Sequence, residues 1–284
     1  MTVGVLAHLF GTHSYRELAA RVGGAGFTHI QLALWKAVND VDFSKPGKFS
    51  PGLALSMADA FQKEGVRISI LGCYLHFFQR DREALRENIE RCKELIRYAP
   101  MLGAPIVAFE TGKPTAGDDR DKDWKVLKAT VEELVEEAER WGVIVGIEAA
   151  NDHLVGTAKE LHQLLQEVPT SQIGVVIDPG NLLTADNMSR QDDVIREAFD
   201  LLGDRIVAGH AKDRILTDKT AGEQGIETVA AGLGSMNYEL YLELLHQYKP
   251  EAYIIMEEAN PGRMAASKAY IDEIRERVRL AARA

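Results

Sequence analysis

Four short apolar runs in the second half of the chain each end on a residue that can bind a metal ion or move a proton. The runs VIVGI, GVVI, IVAG and YIIM are followed by Glu148, Asp178, His210 and Glu257, respectively. A single acidic residue at the end of a strand is usually a helix cap or half of an ion pair. Four ligand-type residues at matching positions favour a shared site instead.

One imidazole and three carboxylates together predict a site for a divalent cation. Clustered carboxylates repel one another and cannot all stay ionised unless a cation lies between them. Oxygen ligands with one nitrogen suit Mn²⁺, Mg²⁺, Co²⁺, Fe²⁺ or Zn²⁺, with no clear preference. These ligands and a divalent ion leave a net charge of about −1. Such a site is expected to chelate the hydroxyl and carbonyl oxygens of a polyol or keto sugar rather than a phosphate.

The fourth position has two candidates, because Glu258 directly follows Glu257. Side chains alternate across a strand, so only one of the pair faces the site. Each of the other three candidates follows four residues of mostly apolar strand, and Glu257 matches that register. We therefore predict that Glu257 is the ligand.

The elements that must position these residues alternate along the whole chain. Amphipathic stretches with apolar residues at helical spacing separate eight strand-like runs. The runs are 3–10, 28–35, 66–75, 105–112, 143–151, 173–181, 205–213 and 252–259. Eight strand–helix units suit a (β/α)₈ barrel of the α/β class, and the glycine-rich fingerprint of a dinucleotide-binding open sheet is missing. We predict that residues 1–284 form a single TIM-barrel domain, with the four ligands converging at the carboxyl ends of its strands.

Two polar residues close to the ligands are predicted to contact substrate. Lys212 lies two residues after His210 and would share its face, although it could equally be a solvated lysine on the rim. Asn181 lies three residues after Asp178 in the turn-prone DPGN, where it would bond a substrate hydroxyl or cap the next segment. Asp213 is out of phase with this face and is expected to brace the rim.

Three further substrate contacts are predicted in the first half of the chain. Glu110 ends the fourth run and could orient the substrate or a neighbouring ligand, or form a salt bridge on the rim. His76 ends the third run and His8 lies in the first. Each histidine would either touch the substrate or be satisfied within the protein while half-buried.

Composition narrows the functional classes. The formal net charge of −10 argues against a broad nucleic-acid surface. No apolar run is long enough to cross a membrane. Cys73 and Cys92 have neither metal-ligand spacing nor the pattern of a disulfide framework, and no signal peptide is evident, so we predict a cytoplasmic protein.

Two long stretches, 36–50 and 214–236, are predicted to be irregular. They follow the second and seventh strands, so they are expected to lie at the catalytic end of the barrel and to contribute to substrate binding.

These residues resemble the sugar phosphate isomerase/epimerase superfamily, the xylose isomerase-like TIM barrels. That group includes ketose 3-epimerases, hydroxypyruvate isomerase, inosose dehydratase and, more distantly, endonuclease IV. The matching stretches, in order, are LGCY at 71–74, ETG at 110–112, IE at 147–148, DPGNLL at 178–183, GHAKD at 209–213, GLGSMNYELYLELL at 232–245 and IIMEE at 254–258. Each is short, and their order and spacing carry the resemblance over nearly the whole chain.

The resemblance implies that Glu148, Asp178, His210 and Glu257 bind one divalent metal ion, commonly manganese. It also implies that Glu148 and Glu257 are the acid/base pair on either side of the substrate. Ketose 3-epimerases carry a substrate-contacting histidine three residues after the metal-binding aspartate, and this chain has Asn181 there. The metal site is expected to be intact, and 3-epimerase specificity is not implied.

We therefore predict a metal-dependent isomerase or epimerase that acts on a ketose, inosose or related polyol through an ene-diolate. A dehydratase of the same substrates is the alternative that shares this chemistry. An endonuclease IV-like phosphodiesterase would need more histidine ligands, and a non-catalytic sugar-binding barrel would bind sugar without exchanging its carbon-bound hydrogen. The expected partner is a small sugar or polyol, with no nucleic acid and no membrane, and a homo-oligomer is compatible with the sequence.

Overall fold

The computed structural model describes residues 3–115, 117, 119–218 and 225–282. Eight parallel strands close into a barrel in the order β1-β10-β7-β6-β5-β4-β3-β2. They are β1 (Val3–Leu6), β2 (His29–Leu32), β3 (Arg67–Gly72), β4 (Ile106–Glu110), β5 (Ile144–Glu148), β6 (Ile173–Ile177), β7 (Ile206–Ala211) and β10 (Tyr253–Met256). Each lies within one predicted run, so the predicted (β/α)₈ barrel is confirmed.

The runs are longer than the strands because the residues that follow the strands are also buried. The first run continues into a 3-10 helix, Ala7–Phe10, and the sixth into a short helix. The stretch 214–236 is not wholly irregular, as it contains an antiparallel hairpin of β8 (Asp213–Leu216) and β9 (Ile226–Val229).

Helices follow the strands around the barrel and cover its outside. They are α1 (Tyr15–Gly24), α2 (Leu34–Ala37), α3 (Pro51–Lys63), α4 (Arg82–Leu102), α5 (Arg120–Trp141), α6 (Ala158–Glu167), α7 (Pro179–Leu182), α8 (Gln191–Leu202), α9 (Tyr238–Tyr248) and α10 (Met264–Ala281). Further 3-10 turns lie at Met188–Arg190 and Gly203–Arg205. Among the described helices, none is both long and apolar enough to cross a membrane.

The core has two layers, as alternation along the barrel strands requires. Inward-facing side chains form a small cluster of Leu6, Ile70, Ile106, Ala108, Val176, Ala208 and Ile255. A much larger cluster packs the outward-facing side chains against the helices. The inner layer sets which later residue of each strand points into the mouth of the barrel.

Two tyrosines of α9 hold the end of β7 in place. The Tyr241 hydroxyl donates to the His210 carbonyl at 2.9 Å, and the Tyr238 hydroxyl donates to the Lys212 carbonyl at 2.7 Å. Both rings are fully buried. A Cβ at Gly209 would overlap the Tyr241 hydroxyl, so the glycine leaves the space in which this bond forms.

Gly209→Ala should lower the free energy of unfolding by about 1–3 kcal/mol, because an added methyl group overpacks a closed core. The control is Gly52→Ala in α3, where an added Cβ would meet nothing within 4 Å. Chemical denaturation of both variants measures the difference. Equal stability of Gly209→Ala and wild type would show that α9 does not fix the end of β7.

Candidate metal centre and substrate site

The alternation of the strands brings the predicted site residues to one mouth of the barrel. Glu110 follows Ala108, Asp178 follows Val176, His210 follows Ala208 and Glu257 follows Ile255, each by two residues. The earlier member of every pair belongs to the inner cluster. Since side chains two residues apart share a face, the later members point into the barrel mouth.

Glu148 reaches the same mouth through a glycine. A Cβ at Gly146 would lie 3.0–3.3 Å from side-chain atoms of Ile106, Val176 and Ala108, so position 146 faces the inner cluster. Glu148, two residues later, therefore points inward and is paired in register with Glu110 on the neighbouring strand.

Three of the four predicted ligands form a compact group. Ligand atoms of Glu148, Asp178 and His210 all lie within 4.8 Å of one another, and the three residues are buried. Glu257 is buried beside them, with its Oε1 atom 3.1 Å from His210 Nδ1. Glu258 is exposed and adopts a left-handed φ of 56°. The structure thus places Glu257, and not Glu258, next to the group.

The hydrogen bonds around His210 direct one of its ring nitrogens toward the carboxylates. Its Nε2 atom lies 2.8 Å from Gln31 Oε1, and Gln31 Nε2 donates to the Tyr74 hydroxyl at 2.7 Å. Because the Gln31 amide nitrogen is already a donor to Tyr74, its oxygen accepts from His210 Nε2–H. A carbonyl that fixes the outer nitrogen in this way is typical of metal-binding histidines.

The inner atoms of the group fit a cation. His210 Nδ1 is buried without a hydrogen-bond partner in the described residues, and it lies 3.1 Å from Glu148 Oε2. Asp178 Oδ2 is buried and forms an ion pair with Lys212, while Asp178 Oδ1 accepts from the Asn181 backbone N–H at 3.3 Å. His210 Nδ1 and the carboxylate oxygens of Glu148 and Asp178 together form a set of nitrogen and oxygen donors that suits a divalent ion.

Lys212 lies between two carboxylates of the group, those of Asp178 and Glu257. Its Nζ atom lies 2.8 Å from Asp178 Oδ2 as an ion pair and donates to Glu257 Oε2 at 2.7 Å. The residue is 7% exposed, so it is not the solvated rim lysine of the alternative interpretation. With the charge of Lys212 included, the ligands and a divalent ion sum to about zero rather than −1.

Burial and mutual charge shift the pKa values of the group in different directions. Burial raises the pKa of Glu148 to about 8, although the charge of His210 opposes it. Burial opposes the charge on His210, but Glu148 and Glu257 outweigh it and raise the pKa of His210 to about 10. Burial also opposes the charge on Glu257, but Lys212 and His210 lower its pKa to about 2. In the metal-free protein, protons and the ammonium therefore balance the carboxylates.

Asn181 contacts two carboxylates with its side-chain amide. Its Nδ2 atom donates to Glu148 Oε1 at 2.6 Å and to Glu110 Oε1 at 3.5 Å. It also lies in the first turn of α7, which the Asp178 side chain caps. The cap predicted for Asn181 is thus made by Asp178, and the amide is directed at Glu148.

His153 lies beside Glu110, and its position in the sequence had indicated no role. Its Nδ1 atom accepts from the Gly112 backbone N–H at 3.0 Å, and its Nε2 atom lies 3.8 Å from Glu110 Oε2. Burial lowers the pKa of His153.

Gln31 was not identified from the sequence as a residue of the site. It is a buried glutamine within the otherwise apolar run IQLAL, and that is the signal in the sequence that could have identified it.

The two predicted histidines, His8 and His76, lie outside the group of Glu148, Asp178 and His210. His8 packs edge-on against Tyr74 with ring centroids 6.4 Å apart, and its Nδ1 atom is buried without a hydrogen bond in the described residues. His76 packs against Phe78 at 4.3 Å, beside Gly112. Neither histidine is part of the compact ligand group.

Asp213 accepts backbone N–H groups and braces the hairpin at the rim. Its Oδ1 atom accepts from Arg214 at 2.8 Å and from Met236 at 2.9 Å, and its Oδ2 atom accepts from Gly232 at 3.1 Å. The side chain is buried and points away from the ligands, as expected from its phase in the sequence.

Several solved structures share the fold of this chain. A D-tagatose 3-epimerase-like protein matches with a TM-score of 0.79 and 18% identity over 99% of this chain and 100% of the other. The IolI protein with a zinc atom matches at 0.70 and 17% over 99% and 97%. A xylose isomerase-like TIM barrel protein from Mycobacterium smegmatis in complex with magnesium matches at 0.71 and 17% over 98% and 96%. At such identities the similarity shows the shared fold.

Comparison at the sequence level identifies the family. No curated protein gives a significant sequence match to the chain. The model of one family, described as xylose isomerase-like TIM barrel, matches residues 19–280. Given that this match covers most of the chain, the protein belongs to the xylose isomerase-like TIM barrel family.

Proposed function

We propose that the protein is a divalent-metal-dependent isomerase or epimerase of a ketose, inosose or related polyol. The observation that supports this most is the buried group of Glu148, Asp178 and His210, whose ligand atoms lie within 4.8 Å of one another and whose His210 Nδ1 has no hydrogen bond within the described residues. The neighbours named as a D-tagatose 3-epimerase-like protein and an L-ribulose 3-epimerase are consistent with sugar chemistry on this fold. We propose Mn²⁺ as the ion; neighbours with zinc and magnesium leave other divalent ions open.

The proposed reaction is proton transfer at a carbon next to a carbonyl. The bound ion would polarise the carbonyl and adjacent hydroxyl oxygens and so acidify the neighbouring C–H bond. One of the two glutamates, Glu148 or Glu257, removes that proton to give an ene-diolate. Return of the proton to the opposite face gives an epimer, and return to the adjacent carbon gives an isomer. Loss of a β-hydroxyl from the same species gives a dehydration product, which is the alternative activity.

The neighbours of each glutamate prepare it for this role. Asn181 donates to Glu148 Oε1, so the other carboxylate oxygen, Oε2, is directed toward His210. Lys212 holds Glu257 Oε2 and keeps the carboxylate ionised, which leaves its Oε1 facing His210. We propose that Lys212, Glu110, His8 and His76 contact the sugar, and that Asn181 acts mainly by orienting Glu148.

Incubation of the Mn²⁺-loaded protein with a panel of ketoses and inososes in D₂O tests the proposal. One substrate should acquire deuterium at carbon, and Glu148→Gln should reduce exchange by about 10²–10⁴-fold, the usual contribution of a general base. Glu258→Gln is the matched control, because that glutamate is exposed and should be dispensable. Metal content is measured for each variant. Near-wild-type exchange by Glu148→Gln, or tight sugar binding with no exchange and no metal requirement, would contradict the proposal.

Asn181→Ala should lower kcat by about 10- to 100-fold, because a hydrogen bond to a charged group contributes about 1.5–3 kcal/mol. Asn151→Ala is the control, since that amide lies on the same rim and donates only weakly, at 3.4 Å, to the Leu183 carbonyl. Steady-state kinetics separate the two roles of Asn181. A large rise in KM with unchanged kcat would instead indicate that Asn181 binds the sugar.

Metal binding should release protons and tighten as pH rises. Glu148, with a pKa of about 8, and His210, with a pKa of about 10, hold protons at neutral pH and must lose them to become ligands. Raising the pH from about 6 to about 9 therefore weakens the competition from these protons and lowers the Kd for Mn²⁺. Calorimetry in two buffers of different ionisation enthalpy measures the protons released, and its stoichiometry counts the ions. A Kd that does not change with pH would contradict this assignment, and three ions per chain would favour the phosphodiesterase.

A further inference from the structure

The Lys212 ammonium lies where a bound cation would lie, between two buried carboxylates of the site. It is 2.8 Å from Asp178 Oδ2 and 2.7 Å from Glu257 Oε2. Asp178 Oδ2 is also one of the atoms directed into the candidate metal site. The ammonium and a metal ion at that site would therefore share the same carboxylates.

The fold makes room for the lysine specifically. A Cβ at Gly180 would lie 3.0 Å from Lys212 Cγ and 3.1 Å from Asp178 Oδ1. Gly180 lies within α7 and its φ is not positive, so its backbone conformation does not require glycine. The absent side chain at 180 instead provides the path along which the Lys212 stem reaches the carboxylates.

The backbone of Lys212 is fixed as well. Its carbonyl accepts from the buried Tyr238 hydroxyl at 2.7 Å, and it follows the end of β7, which Tyr241 holds. The space beside Gly180 thus determines the path of the Lys212 side chain, and the hydrogen bond from Tyr238 fixes its backbone. A lysine held at both ends in this way has little freedom to leave the acidic group.

We propose that Lys212 is a built-in counter-cation, which holds Asp178 and Glu257 together in the metal-free protein and weakens metal binding. The proposal rests on the proposed function for its metal site. Without metal, the ammonium offsets the repulsion between buried carboxylates. With metal, a fixed positive charge a few ångströms from a divalent ion opposes its binding, so that the ion is held less tightly than the carboxylates alone would allow.

Lys212→Met tests both halves, because methionine keeps the apolar stem and removes the charge. The metal-free variant should unfold about 5–10 °C below wild type, since one partner of a buried ion pair has been removed. The same variant should bind Mn²⁺ about tenfold more tightly, because the competing charge is gone. Thermal unfolding in EDTA and calorimetry with Mn²⁺ supply the two readings, neither of which depends on activity.

Lys113→Met is the matched control. Lys113 forms an ion pair with Asp152, but its side chain is 65% exposed, so its loss should change neither reading. If metal-free Lys212→Met does not fold, Mn²⁺ should restore its folding, because the ion supplies the missing positive charge.

Three results would overturn the proposal: an unchanged metal-free unfolding temperature, equal or weaker Mn²⁺ binding, or an unfolded variant that Mn²⁺ does not rescue. Wild-type protein that binds no Mn²⁺ would contradict the proposed function instead. In that case the metal-free unfolding comparison still decides whether Lys212 is the counter-cation.

Discussion

Burial of three carboxylates in one small volume is the constraint on which the rest of this site depends. Glu148, Asp178 and Glu257 are each at most 7% exposed, and like charges in such surroundings demand positive charge nearby. His210 and Lys212 supply it within the protein, at distances of 2.7–3.1 Å. The barrel enforces the crowding, because strand alternation leaves these side chains no direction except inward.

The residues around this group restrict its geometry rather than add to its charge. Gln31 sets which nitrogen of His210 faces the carboxylates, and Asn181 sets which oxygen of Glu148 does. Tyr238 and Tyr241 fix the strand end from which His210 and Lys212 project. A ligand group held from outside in this way loses little freedom when it binds an ion, which is the usual purpose of such supporting contacts.

The sequence was sufficient for the barrel and for the convergence of the residues predicted as ligands, because both depend on periodicity that is local to each strand. The alternation of side chains along a strand also selected Glu257 over Glu258 as the predicted ligand. Contacts between distant strands could not be predicted: Gln31 and His210 are 179 residues apart, and no local pattern relates them. The pairing of Lys212 with two carboxylates is of the same kind, since it depends on the room left by Gly180 in α7.

Charge balance connects this geometry to the choice of substrate. The four predicted ligands and a divalent ion alone would carry a net charge of about −1. With the buried Lys212 ammonium included, the net charge of the metal-loaded group would be close to zero. A neutral, water-poor site loses little when it replaces hydration with the hydroxyl and carbonyl oxygens of an uncharged sugar. In the proposed reaction, a bound divalent ion and Lys212 would be the cations that stabilise the negative charge that develops when carbon loses a proton.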